Sequence, residues 1–481
     1  MTSQVDNPGA GQGTSSAPEH NRPSSFSLDA EHRTFAVSLR NYWGRLRSGD
    51  PGALPSVLGL VVLAVIFSQV SGRFISKFNI GNLPGQGAYI AIIALGLVFV
   101  LLLGEIDLSA GTTGGMAAGF AAQGIFSHGL HHGVPGSNLL FGILVGVLAA
   151  AMLLGAWLKA WTGAAVVGVG IIIIATGLDQ HVIPALIAAI SIGAAVGIFI
   201  GWLVGKIGVP SFVVTLALFL AWQGVLLFAL NANPLPNQNY KFWFGLTHNN
   251  LSPTWTWIFM IVVVGSYFLY TLFKAILAKR HGINGDTIQL VVVRGGTIAV
   301  VGVIVTIFAN ENRGLVKNFA IHGLPWAAVI PICLMIVCTI ALNKTSWGRH
   351  LFATGGNAEA ARRAGIDVVH IKVTAFTICS SFGALGGIFL ASNNGSVALD
   401  LGAGNILLFS VAAAVIGGTS LFGGRGKPRD AIIGALVITI IPNGLLLRPS
   451  LPAAYQNVLT GLVLLLAASV DAMSRRRART R

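Results

Sequence analysis

From about residue 54 onward, apolar stretches of roughly 16 to 24 residues follow one another with only short polar breaks. A helix crossing bilayer hydrocarbon needs roughly 20 such residues, so this repetition constrains the chain more than any motif does. Charged residues are 9% of the 481 and hydrophobic ones 54%. A soluble domain carries about a quarter charged residues, so a water-exposed surface cannot be built here, and disorder would need far lower hydrophobicity. What remains is an all-α polytopic transmembrane helical bundle. The 61 glycines suit helices that pack closely in lipid.

Candidate spans begin near residues 54, 84, 109, 138, 163, 183, 209, 254, 288, 322, 372, 404, 430 and 454. Segments 109–126, 163–178 and 404–421 are short or glycine-rich, as broken or re-entrant helices are. The expected number is therefore about 10–14 spans. Residues 51–474 form the transmembrane domain, with a loop at 343–371. Residues 1–50 read as a disordered polar tail without the basic start and apolar core of a signal peptide. Its end, with Arg40, Tyr42, Trp43, Arg45 and Arg47, has the make-up of an interfacial helix. Residues 475–481 form a basic tail.

The formal charge is +15, from 30 Lys+Arg and 15 Asp+Glu. With the N-terminus inside and the spans alternating, 23 of the 30 cations fall on the inside and six on the outside, and Arg294 lies within a span. That bias follows the positive-inside rule. It places both termini in the cytoplasm and accounts for the basicity without nucleic acid. Cys333, Cys338 and Cys379 lie in apolar runs and read as buried hydrophobes. His128, His131 and His132 share an outside loop but lack the ligand set of a metal site. Gly423-Gly424-Arg425-Gly426-Lys427 and Gly201–Lys206 both miss the phosphate-loop pattern.

The second half of the 343–371 loop has helix chemistry. Asn357 is a favourable N-cap, Glu359 sits in the first turn, and Arg362 and Arg363 sit in the last. Glu359 is spaced to pair with both arginines. Ala358, Ala360, Ala361 and Ala364 keep the surface thin, and Gly365 suits a left-handed stop. Such a helix can seat in a groove of another protein or serve as a plain connector. Glu105 and Asp107, ionisable groups between apolar spans, are functional candidates by default. Pro210 reads as the first residue of a span. Phe212 and Thr215 after it, Trp222 and Gln223 further along, and Asn393 and Asn394 at the end of another span have side chains suited to a hydroxyl-rich solute. Each also fits ordinary packing or capping.

Several segments, in order, resemble one family. Gly355-Gly356-Asn357-Ala358-Glu359-Ala360-Ala361-Arg362-Arg363-Ala364-Gly365-Ile366 resembles the cytoplasmic EAA-type loop of ABC-importer permeases of the ribose/xylose/galactose class. Gly104-Glu105-Ile106-Asp107-Leu108-Ser109-Ala110-Gly111 is similar to that family's GGIDLSVG segment. The run from Val209 to Leu216 is similar to its PSFIVTL segment, and Val415 to Gly426 to its VIGGTSLFGGRG segment. Asn443-Gly444 matches a late asparagine-glycine pair. The likeness covers roughly residues 55–475, and the added span at Arg294–Asn310 is similar to one in the xylose-transporting subgroup. Two departures stand out: Glu105 replaces the motif's glycine, and Leu407 and Phe409 stand where the family commonly carries acids.

The resemblance implies the ABC importer permease fold and a subunit that passes a monosaccharide, D-xylose or a related pentose, through the bacterial cytoplasmic membrane. It implies a coupling loop made of Gly355, Gly356, Asn357, Glu359, Ala360, Ala361, Arg362, Arg363 and Gly365, on which a separate ATPase docks. Partners would be a second permease copy, cytoplasmic ATPase subunits holding ATP and magnesium, and an extracytoplasmic sugar-binding protein. This chain would bind no cofactor and catalyse no reaction. Path candidates are Asp107, Glu105, Phe212, Thr215, Gln223, Asn393 and Asn394. The competing reading is an ion-coupled secondary transporter of a small polar solute, which would want more intramembrane carboxylates and repeated halves. A membrane-embedded enzyme would want a cluster of His, Asp or Glu at one depth, which the sequence does not offer.

Overall fold

The computed structural model describes residues 54–133, 138–281, 288–314 and 320–448, with scattered positions between 454 and 465. The expected tails and most of the span near 454 lie outside them. The described helices are α1 (Leu54–Val70), α2 (Lys77–Leu102), α3 (Ala110–Phe126), α4 (Asn138–Trp157), α5 (Trp161–Ala175), α6 (Val182–Trp202), α7 (Ser211–Ala229), α8 (Lys241–His248), α9 (Pro253–Arg280), α10 (Ile288–Asn310), α11 (Trp326–Lys344), α12 (Ser346–Gly356), α13 (Ala358–Arg363), α14 (Val368–Asn394), α15 (Ile406–Gly417) and α16 (Pro428–Leu446), with shorter turns between some of them. Two strands of two residues each, β1 (Leu235–Pro236) and β2 (Ser396–Val397), pair antiparallel. Eight of the described helices are long and apolar enough to cross a membrane, and α1, α4, α5 and α15 are shorter apolar helices.

Helix α14 is the hub. It packs on α2, α3 and α6, and glycines permit the approach. Gly193, Gly197 and Gly201 recur every fourth residue on α6, so they share one face. A Cβ on Gly193 would lie 2.6 Å from the Ser380 carbonyl oxygen, one on Gly197 2.5 Å from Thr377 Cα, and one on Gly201 2.5 Å from Val373 Cα. On α3, Gly114 meets the backbone of Gly383 and Gly387 in the same way. Lipid gives apolar helices no reason to associate by burial, so backbone-to-backbone packing carries the bundle. Helices α9 and α10 pack on each other at the periphery.

Two chain segments are not continuous helices. Residues 103–109, after α2, run alongside α14 before α3 begins opposite Gly383. Residues 398–405 descend from the far end of α14 until Gly402 meets the backbone of Gly111 and Gly115, and α15 starts only after that. Each irregular stretch lies just before one of the short, glycine-rich segments expected to be broken, 109–126 and 404–421, which are themselves continuous helices from Ala110 to Phe126 and from Ile406 to Gly417.

Some local expectations are corrected. The first half of the 343–371 loop is itself helical, as α12, because the Thr345 hydroxyl accepts the Gly348 amide at 3.0 Å and Trp347, Leu351 and Phe352 give it an apolar face. Pro210 is the N-cap of α7, one residue outside the helix. Cys333 is exposed, whereas Cys338 and Cys379 are buried. The spans expected near 84 and 322 begin at Lys77 and Trp326. In the first case Ser76 caps the helix start by accepting the Asn79 amide.

Candidate functional site

Helix α13 has the ends its residues dictate. Asn357 Oδ1 accepts the Ala360 amide at 2.9 Å. The Ile366 amide donates to the Ala361 carbonyl and the Gly365 amide to that of Arg362, both at 3.0 Å, around Gly365 at φ +83°. That is a Schellman stop with glycine in its left-handed position. Glu359 pairs with Arg362 at 3.0 Å and Arg363 at 3.3 Å. Ala361 is only 4% exposed and anchors the helix, while Asn357, Glu359, Ala360, Arg362, Arg363 and Gly365 face outward. The result is a short, stiff, protruding surface of small residues ringed by charge.

Its root is a junction of glycines from three segments. Gly355 packs on the Leu102 carbonyl at the end of α2. The Gly424 amide donates to that carbonyl at 2.8 Å. Gly423, at φ +83°, leaves room for Gly355, Gly104 and Leu102, where a side chain would press on all three backbones. Trp347 on α12 donates to Thr374 Oγ1 on α14 at 2.8 Å, and Asp367 caps the start of α14 by accepting the His370 amide at 3.0 Å.

The 103–109 segment leads from this junction into the bundle, and three successive residues tie it down. Glu105 pairs with Lys372 of α14 at 2.6 Å, both side chains about a fifth exposed. The Ile106 backbone accepts from the Thr215 hydroxyl and donates to that of Ser211, each at 3.4 Å, so it is tethered to α7. Asp107 is fully buried. Its Oδ1 accepts the Ser109 amide and hydroxyl at 2.9 and 2.7 Å, and Oδ2 lies 3.5 Å from Ser380 Oγ on α14. Four stretches distant in the sequence therefore meet at one end of the bundle: 104–111, 209–216, 355–366 and 415–426.

The other expected site residues are not part of this assembly. Phe212 is 56% exposed on the outer face of α7, and Gln223, half-buried, returns its amide to the Phe219 carbonyl. Asn393 and Asn394 sit at the far end of α14, about 30 Å from Lys372 at 1.5 Å per residue. Leu407 and Phe409 are buried. In the loop at the same far end, the Leu130 amide donates to Asp179 at 2.7 Å, with His131 beside it. Burial raises the Asp179 carboxyl above its usual range, opposed by that amide and by His131. Sequence reasoning missed the Glu105–Lys372 pair, since 267 residues separate the partners. It also passed over the glycine face of α6, although the four-residue spacing was there to read.

The architecture is that of a multi-pass helical membrane permease whose exposed helix is rooted in the bundle. A family described as the branched-chain amino acid transport system permease component matches residues 162–468, and the chain belongs to this family of permeases. It is similar to the xylose transport system permease protein of Haemophilus influenzae, 28% identical over 90% of this chain and 99% of that one. It is also similar to the ribose import permease protein of Escherichia coli, 25% identical over 86% and 92%, and to the fructose import permease protein of Rhizobium meliloti, 24% identical over 92% and 91%. No solved structure matches the chain.

Proposed function

We propose that this chain is the translocation subunit of an ATP-driven importer for a pentose, with D-xylose the first candidate, in a bacterial cytoplasmic membrane with both termini inside. The relatives are named for import of xylose, ribose and fructose. The observation that carries the mechanism is α13, capped at both ends, presenting Glu359, Ala360, Arg362 and Arg363 outward and rooted on the ends of α2 and α14. A separate ATPase carrying ATP and magnesium docks on this surface, contacting residues Gly355–Gly365. A ligand moves a protein only between states that it binds differently, so the ATPase needs a stiff lever and a root that passes displacement on. The root here leads through Lys372 to Glu105 and through the Ile106 backbone to α7. Two copies of the chain enclose the path, and an extracytoplasmic binding protein supplies the sugar. Glu105, Asp107 and Thr215 act on the path by holding its walls, while Phe212, Gln223, Asn393 and Asn394 are candidates for its lining.

The test is uptake of labelled D-xylose by liposomes holding the permease and its ATPase. Glu359→Lys reverses the charge at the start of the lever and breaks its two ion pairs. It should abolish ATP-driven uptake while the yield of folded, detergent-extracted protein stays near that of the parent. Uptake at the parental rate would remove α13 from the coupling role. Transport without any ATPase present would overturn the ATP-driven reading as a whole.

A further inference from the structure

Helices α9 and α10 stand apart from the bundle. Among the described residues they pack on each other, and neither packs along a bundle helix. Two ties hold α9 to α11. At one end the Leu251 amide donates to the Leu324 carbonyl at 2.8 Å and the Trp326 amide to that of Asn249 at 3.1 Å. At the other the Lys344 ammonium donates to the Tyr270 hydroxyl and lies 4.7 Å from the centre of its ring. Both helices start at the first tie, so Tyr270 is about 26 Å and Lys344 about 27 Å further along. Those lengths match the roughly 30 Å of bilayer hydrocarbon. Exposed Trp255 and Trp326 mark one boundary, and exposed Tyr267, Tyr270 and Lys344 the other, as aromatic and basic anchors do.

Between the ties the facing sides are uncovered. Cys333, Val337, Ile340 and Lys344 recur every three or four residues, so they form one stripe of α11, and all four are exposed. Since Lys344 reaches α9, this stripe is the side of α11 turned toward α9. On α9 the stripe through Tyr270 continues at Ser266 and Lys274, all three exposed. Helix α10 covers another side, meeting α9 at Met260, Val264 and Phe268. The long side chains of Lys344 and Tyr270, meeting at their tips, hold the two helices apart and roof the space beneath.

The charge at this roof has one sign. Lys274 lies one turn beyond Tyr270, Lys279 and Arg280 end the same helix, and no carboxylate lies in α9, α10, α11 or α12. Asp286 lies outside the described residues. After their mutual bond Lys344 keeps two ammonium hydrogens and the Tyr270 hydroxyl keeps its own, so the roof has donors left for a phosphate. Basic pockets between spans hold anionic lipid headgroups. An apolar slot closed by cations at the hydrocarbon boundary matches a molecule with an acyl chain and an anionic head.

We propose that the slot between α9 and α11 seats one anionic phospholipid in the leaflet on the α13 side, its phosphate between Lys274 and Lys344 and an acyl chain along Val337 and Ile340. The lipid then joins to the bundle a helical hairpin that the protein itself ties to α11 only at its ends.

The test measures the phospholipid retained by the purified full-length permease, by native mass spectrometry after delipidation and re-addition of phosphatidylglycerol or phosphatidylcholine with the same chains. One phosphatidylglycerol per chain should bind, about tenfold more tightly than phosphatidylcholine, the preference expected of two cations beside the headgroup. Lys274→Gln with Lys344→Gln should remove the preference. Lys279→Gln with Arg280→Gln, an equal loss of charge farther along α9, should keep it. All four positions are exposed, and thermal unfolding before lipid is added checks that the parent fold is kept. Val337→Trp fills the slot with both cations intact and should lower phosphatidylglycerol retention severalfold. Equal retention of the two lipids would overturn the proposal. So would an equal loss of preference in the two double variants, which would make the attraction a diffuse field, or undiminished retention in Val337→Trp, which would put the lipid elsewhere. Displacement by glycerol 3-phosphate, which has the charge without the chain, would also overturn it. A disulfide between two copies through Cys333 would make the stripe a seam between subunits, with the same consequence. Neither sugar nor ATP enters the measurement, so its failure leaves the transport reading standing, and a failure of ATP-driven uptake leaves the lipid site standing.

Discussion

Added side-chain volume at one glycine tests how the bundle is held. Gly197 lies against Phe376 and Thr377, and any side chain there must push α6 away from α14. Gly197→Val should therefore cost about 1–3 kcal/mol or more, the range for overpacking a tight contact. Thermal unfolding in detergent should show the loss. Gly224 on α7 has nothing within 4 Å of an added Cβ, so Gly224→Ala should change stability by no more than about 0.5 kcal/mol. Equal losses in the two variants would mean that the glycine face does not hold the helices. A second contact of this kind is polar: Asn79 and Asn443 exchange amide hydrogen bonds at 2.9 and 2.8 Å inside the bundle, and Gln86 accepts a further one at 3.1 Å. Removing one partner strands the other, at about 1–3 kcal/mol for a buried orphaned group. Asn443→Leu alone should thus destabilise more than the Asn79→Leu/Asn443→Leu double variant, and the opposite order would show that the pair is dispensable.

At the scale of elements, the Glu105–Lys372 pair joins a loop to a helix, and its contribution should fall between that of exposed and fully buried ion pairs, about 1–3 kcal/mol. Glu105→Gln should lower thermal stability by that amount and slow ATP-driven uptake. The exchanged variant, Glu105→Lys with Lys372→Glu, should recover part of both losses. If the exchange recovers neither, the proximity is incidental. What could be foreseen here follows from the range of each interaction. Helix α13 was legible to the residue because capping is local: Asn357, Glu359, the two arginines and Gly365 act within one turn of each other. Helix α12 was not, since Ser346-Trp347-Gly348 is a poor helix former and the segment is held by Trp347 reaching Thr374 on another helix. Glycine content marked 109–126 and 404–421 as irregular, but the breaks fall just before α3 and α15 rather than within them. The partners that make those breaks tolerable, Ser380 for Asp107 and Gly402 for Gly111, depend on how the helices are stacked.

At the scale of the whole molecule, the alternation of spans assigns sides, and the fold tests that assignment by what it brings together. Lys77 pairs with Glu311, and Arg313 packs over Gly81, so the cations assigned outside gather at one end. Gly205, next to Lys206, packs on Val369 and Lys372, Lys344 meets Tyr270 on the last turns of α9, and Arg425 follows the glycines that touch Gly355, so cations assigned inside gather at the other. Two separate ends are necessary for the positive-inside argument, but which end faces the cytoplasm is set by the membrane. Labelling decides it. A cysteine at Ala360, exposed on α13, should react with an impermeant maleimide in inside-out vesicles and stay silent in intact cells, and a cysteine at the exposed Asn231 should do the opposite. A cysteine at Ala361 should be poorly reactive from either side, because that position is turned into the bundle. Bound ATPase should shield position 360, and shielding that disappears in Glu359→Lys would tie the orientation to the docking surface. Reaction of the Ala360 cysteine in intact cells would invert the topology. The lever would then be out of reach of any cytoplasmic ATPase.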